Sequence, residues 1–210
     1  MLIPYERLAD IEPYICCLKP CAVDPDEAPD VPDPVDVCFL IGGPSGTHSY
    51  AANHWARITE LADAAARRFR TGVFTSRRTP AQVFRQFKQQ ESPNLRVFGS
   101  EDINSGGVMD FCKKARMVLV TEDSNSMITE AVCCRKPVCV LGPASNGMNA
   151  NEAAYLEGLE AKNWLYSQSL DADISFETLC EKIEDLSPMQ ENHLDVLAGK
   201  LLGKLTLAAI

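Results

Sequence analysis

The sequence predicts an α/β protein built on a doubly wound parallel sheet of about six strands. Three observations carry that expectation. Short apolar runs of strand length recur from Val35 onward. Amphipathic stretches with helical spacing separate them. The segments after the first five runs are rich in Gly, Ser, Asn or charge, as the ligand-facing loops of such sheets are.

Taken in order, VDVCFLI is a buried strand that ends in GGPSGTHS. A helix follows, with Trp55, Ile58, Ala62, Ala65 and Phe69 on one face. TGVFTS is the second strand, SRRTP its turn, and Val83, Phe84 and Phe87 mark a short helix. LRVFG is the third strand, and a helix around Val108, Phe111, Cys112 and Ala115 leads to MVLV, the fourth. The helix in ITEAVCC precedes PVCVLG, the fifth strand. A helix near Glu152–Glu160, a short strand in NWLYS and two C-terminal helices complete the alternation. Handedness of strand-helix-strand units makes the sheet doubly wound.

Residues 1–34 differ. They hold seven of the 13 prolines, including VDPDEAPDVPDPVD, and read as an acidic arm or linker preceding a domain over residues 35–210. The formal charge of −9 is uneven, with acidic ends around a basic zone from Arg57 to Lys88. That balance gives no broad positive face, so nucleic acid is not an expected partner. A local positive zone suits a small anion, although Arg67, Arg68 and Arg70 fit a solvated helix face equally well. No run reaches the length of a membrane span, and the first residues lack the pattern of a signal peptide, so the expected location is cytoplasmic.

The nine cysteines fit a reducing compartment, and most fall in apolar segments as small hydrophobes. Cys16, Cys17 and Cys21 cluster, but the CCxxxC spacing matches no common zinc pattern and no histidine is near in sequence. Packing is the preferred reading there, and neither a metal nor a cofactor is expected.

Three known loop chemistries fail on GGPSGTHS. A Walker A loop needs Lys before its final Ser or Thr, the dinucleotide fingerprint needs GxGxxG, and a nucleophile elbow around Ser45 needs Gly where Thr47 stands. What survives is a Gly-rich strand-to-helix turn, either a plain tight turn or one whose N–H groups receive an anion. Arg77 and Arg78 follow the second strand, where an arginine can fork onto phosphate oxygens, while at least one of the two is expected to point into water. In TEDSNSMITEA, Ser124 or Asp123 can cap the next helix, whose first N–H groups are unpaired donors. Glu130, further into that helix, either accepts bonds from vicinal hydroxyls, as on a ribose, or is a surface glutamate near Arg135 and Lys136.

EDSNSMITEAVCCRKPV resembles the donor-binding, C-terminal half of GT-B glycosyltransferases and the related sugar-nucleotide 2-epimerases. IGGPSG, FTSRRTP and VTEDSNSMITEA…KPVCVL together resemble the mitochondrial fission (elongated-mitochondria) family over Val35 to Leu141. Its bacterial members are described as predicted nucleoside-diphosphate-sugar epimerases of GT-B-like fold. The resemblance implies binding of a nucleotide sugar, with glycosyl transfer or epimerisation as the chemistry. It places Gly43, Ser45 and Gly46 near the donor phosphates, with Arg77 or Arg78 neutralising them. It gives Ser124, Ser126 and Met127 to the diphosphate and Glu130 to the ribose; no catalytic residue is identified.

Three departures stand beside it. Glu122 occupies a place where many GT-B enzymes have histidine, and a carboxylate repels a diphosphate unless a proton or cation intervenes. Arg135 stands where a helix-ending glycine is usual. Residues 1–34 are too few for the acceptor domain of a complete GT-B enzyme, so either the chain is shortened relative to its relatives or a homodimer or partner subunit supplies that half. The alternative expectation is a degenerate GT-B-like scaffold or interaction module.

Overall fold

The computed structural model describes residues 2–4, 15–27, 30–46, 48–103, 105–144 and 147–207. Its centre is a six-stranded, all-parallel sheet made of β3 (Val37–Ile41), β4 (Thr71–Thr75), β5 (Leu95–Phe98), β6 (Met117–Thr121), β7 (Val138–Gly142) and β8 (Leu165–Ser169). The spatial order is β5-β4-β3-β6-β7-β8. The chain therefore starts in the middle, winds outward to β5, crosses back to β6 beside β3, and winds out the other way. This is the Rossmann-like order, whose direction reverses between β3 and β6.

β3, β4 and β7 are buried at every position, as strands covered on both faces must be. Their alternate residues divide between two cores. Val37, Phe39 and Ile41 face α1 (Ala52–Ala66), α2 (Ala81–Gln89) and α6 (Phe176–Glu184) through Ile58, Phe87 and Phe176. Cys38 and Leu40 face α3 (Ser105–Lys114), α4 (Asn125–Cys133) and α5 (Ala150–Ala161) through Cys112, Val132 and Leu159. Each fully buried Phe or Leu in these layers contributes about 1.5–3 kcal/mol relative to exposure. All six strands and the helices between them lie where the sequence places them.

The first residues are more structured than an irregular arm. β1 (Leu2–Ile3) pairs in parallel with β2 (Ile15–Cys16), and Val23 joins the second core with Leu18 and Cys21 packed against it. The last helix, α7 (His193–Leu207), begins next to this arm. Among the described residues no helix is long and apolar enough to cross a membrane.

Candidate functional site

The reversal of strand order opens a crevice at the carboxyl edge between β3 and β6, and the loops after both strands meet there. A turn follows β6 at residues 122–123 and directs the side chains of TED. Thr121 and Asp123 turn toward β3, where Thr121 Oγ1 accepts from Gly42 N at 2.7 Å and Asp123 Oδ2 from Gly43 N at 3.1 Å. Glu122, also buried, turns the other way and lies against Gly142 of β7.

Asp123 is the hub of the crevice, and its side chain has no solvent exposure. Besides Gly43 N it accepts from Tyr50 Oη at 3.3 Å and pairs with Arg78 Nη2 at 2.6 Å. The Arg78 side chain remains 44% exposed, so one edge of its guanidinium is fixed and the rest faces outward. Tyr50 stacks near Trp55, with ring centroids 4.6 Å apart. Burial and the Asp123 charge raise its phenol well above the ordinary range, so it acts as a permanent donor.

Backbone contacts lock the second loop onto the first. Thr79 Oγ1 lies 2.8 Å from Ile41 O and 2.7 Å from Gly42 O, and Ser76 N donates to Ile41 O at 2.9 Å. A Cβ on Gly43 would overlap the Arg78 carbonyl, and one on Gly42 would overlap the Asp123 carboxylate. Glycine is required at both positions because neighbouring chain occupies the space a side chain needs. Gly46, at φ +57°, is the left-handed residue of the same loop.

The third loop starts α4. Ser124 is its N-cap, with Oγ accepting from Met127 N at 3.4 Å. Asp123 faces inward instead, which settles which of the two side chains caps. The N–H groups of Asn125 and Ser126 precede the first intrahelical bond and carry the positive end of the helix dipole. A further link closes the edge beside α1. His54 Nδ1 accepts from Ala51 N and its Nε2–H donates to Asp171 Oδ1 at 2.8 Å, while Asp171 Oδ2 accepts from Ala144 N. The His54 hydrogen bond, with that of Ala144 N, holds the Asp171 carboxyl below its usual range.

Of the residues predicted from sequence, Gly43 and Arg78 meet at Asp123, with Ser124 directly following it. Ser45 exchanges backbone bonds with His48 in the loop that Gly46 turns. Arg77 is exposed beside Arg78, Ser126 is exposed at the helix start, and Met127 packs partly into the second core. Glu130 is half-buried and lies near Cys21 and Lys19 of the arm; burial first, then the Cys21 charge, raises its carboxyl. Arg135 takes φ +56°, the left-handed conformation expected of a helix-ending glycine, and bonds Asp26 at 2.6 Å. Most of the basic zone is spent on surface pairs: Arg57 with Asp173, Arg67 with Asp63, Arg68 with Glu177 and Arg70 with Asp36.

Sequence reading missed Tyr50, Thr79 and the central role of Asp123.

Comparison with solved structures places this architecture. The glycotransferase of kitacinnamycin superposes with a TM-score of 0.51 at 14% identity, covering 95% of this chain and 49% of that one. UDP-GlcNAc 2-epimerase from Neisseria meningitidis, bound to UDP-GlcNAc, gives a TM-score of 0.50 at 17% identity, covering 82% and 45%. The chain thus spans about half the length of these structures, and the likeness is one of fold, that of a GT-B half. A search of curated protein sequences finds no match. The family model described as Mitochondrial fission ELM1 matches residues 25–188, and the chain belongs to that family.

Proposed function

We propose that the carboxyl edge between β3 and β6 binds the diphosphate of a nucleotide sugar, with glycosyl transfer or sugar-nucleotide epimerisation as the chemistry of the completed site. One observation carries this reading. Arg78 is held by the buried Asp123 with its outer edge free, beside exposed Arg77 and the open N-terminus of α4. A guanidinium fixed on one side is preorganised for phosphate oxygens on the other, and a helix start adds donors and positive potential. Such a site stabilises a leaving diphosphate electrostatically. Ser124 and Ser126 lie at the helix start, and Gly43, Ser45 and Gly46 form the facing wall. Glu130 is assigned to the ribose.

The second reading is a GT-B-like scaffold or interaction module, and a different observation favours it. Gly42 N and Gly43 N are already bonded to Thr121 and Asp123, so the Gly-rich turn has spent those donors internally. Two buried carboxylates, Glu122 and Asp123, also sit at the crevice.

A thermal-shift screen with UDP, GDP, CDP, dTDP and UDP-sugars separates the two. A specific ligand at a hundred times its Kd stabilises by about 2.7 kcal/mol, which is roughly 5–11 °C for a chain of this size. If binding occurs, Glu130→Ala weakens it. No shift with any nucleotide supports the scaffold reading.

A further inference from the structure

At the C-terminal end of α4, the fold gathers three metal-ligating side chains from distant parts of the sequence. Cys21 comes from the arm, Cys133 from the end of α4 and His193 from the start of α7. Their ligand atoms all lie within 4.8 Å of one another, and Cys21 Sγ is 3.4 Å from His193 Nε2. Around tetrahedral Zn²⁺, bond lengths imply about 3.5 Å between sulfur and nitrogen and about 3.8 Å between two sulfurs. The observed cluster needs only a small contraction to reach those separations.

We propose that Cys21, Cys133 and His193 form a binding site for a thiophilic divalent cation of the Zn²⁺ class, with a fourth position open to water. Softness matches, since two thiolates and an imidazole select such ions over Mg²⁺ or Ca²⁺. Location matches as well: Cys133 is fully buried and His193 nearly so, while half-buried Cys21 leaves an entry path. Nε2 is the His193 nitrogen turned to Cys21, 3.4 Å from its Sγ and 3.3 Å from its carbonyl oxygen.

The surroundings hold the three ligands in place. Asn192, just before α7, receives Leu194 N on its Oδ1 and donates from Nδ2 to Asp24 and Asp26 of the arm. Asp26 also takes Arg135 from the end of α4. Arm, α4 and α7 are thus tied by a polar frame beside the cluster, so the ligands arrive prearranged. Bound metal, releasing the thiol protons, would staple all three elements together. Reading cysteine spacing along the chain could not find this site, because its histidine is 172 residues from Cys21.

The test is titration of the reduced, chelator-stripped full chain with Co²⁺, followed by displacement with Zn²⁺. The expected result is one Co²⁺ per chain, with thiolate-to-cobalt charge transfer in the near ultraviolet and tetrahedral-intensity d–d bands in the red. Cys21→Ser should roughly halve the charge-transfer band, and both it and His193→Gln should weaken binding by more than about tenfold. Cys17→Ser should leave the spectrum unchanged. Cys133 is fully buried and its replacement can impair folding, so the first two variants carry the test. Absence of the band, its loss in Cys17→Ser but not in Cys21→Ser, or a Cys21–Cys133 disulfide in protein that takes up no metal when reduced would overturn the proposal.

Discussion

The crevice between β3 and β6 and the seam at the end of α4 are both polar clusters inside an apolar fold, but they are satisfied in opposite ways. At the crevice, Asp123 is answered by Gly43 N, Tyr50 and Arg78, leaving only outward-facing groups for a ligand. At the seam, two thiols and an imidazole face one another, with Cys21 Sγ 3.4 Å from His193 Nε2. A satisfied buried network fixes geometry and a converging set of donors awaits something to converge on. The difference assigns rigidity to the first region and ligand-dependent cohesion to the second.

The largest expected effect comes from breaking the crevice hub. Asp123→Ala leaves Tyr50 and Gly43 N without their buried acceptor, and should cost about 2–4 kcal/mol of unfolding free energy in a urea titration. A loss under about 1 kcal/mol would mean that Asp123 is not structural. Gly43→Ala comes next. Its Cβ would meet the Arg78 carbonyl, which is backbone and cannot rotate away, so about 1–3 kcal/mol is expected. Gly142→Ala should cost less, because its clash is with the Glu122 side chain. Equal losses at the two glycines would show that Glu122 is as immobile as the backbone.

Ser124→Ala removes the cap of α4 and should lower stability by about 1 kcal/mol, without moving the arm. The smallest effect is on pH dependence. Asp171 has a lowered carboxyl through His54 and Ala144, so its contribution is present above the ordinary carboxylate range and disappears as pH falls through the folded value. Asp171→Asn should therefore flatten the acid limb of the Tm-against-pH curve below about pH 4. A parallel downward displacement at every pH would contradict that origin.

Strands and helices were legible because each buried strand is a near-continuous apolar run and each helix shows one apolar face. Phe39 and Leu40 had to be buried on either face of a central strand. The loops that meet at the sheet edge followed from topology. The pairing inside the crevice did not, because whether Asp123 or Ser124 caps α4 depends on how the turn after Thr121 directs each side chain. Tyr50 reaches Asp123 across 73 residues and no local pattern announces that contact. The Arg57 to Arg70 stretch is a solvated face, one of the two readings its sequence allows, with its arginines paired both within the helix and to distant acids.

Calorimetric titration of UDP, GDP, CDP and dTDP into the wild-type chain and Arg77→Ala tests diphosphate binding most directly. Arg77 is exposed at the crevice, so replacing it should change ligand affinity and leave the fold intact. The expected result is saturable 1:1 binding of at least one diphosphate, weakened at least about tenfold in Arg77→Ala through loss of a charge-assisted contact. Binding of none of them, or equal affinity in both proteins, would contradict a diphosphate site built on the two arginines.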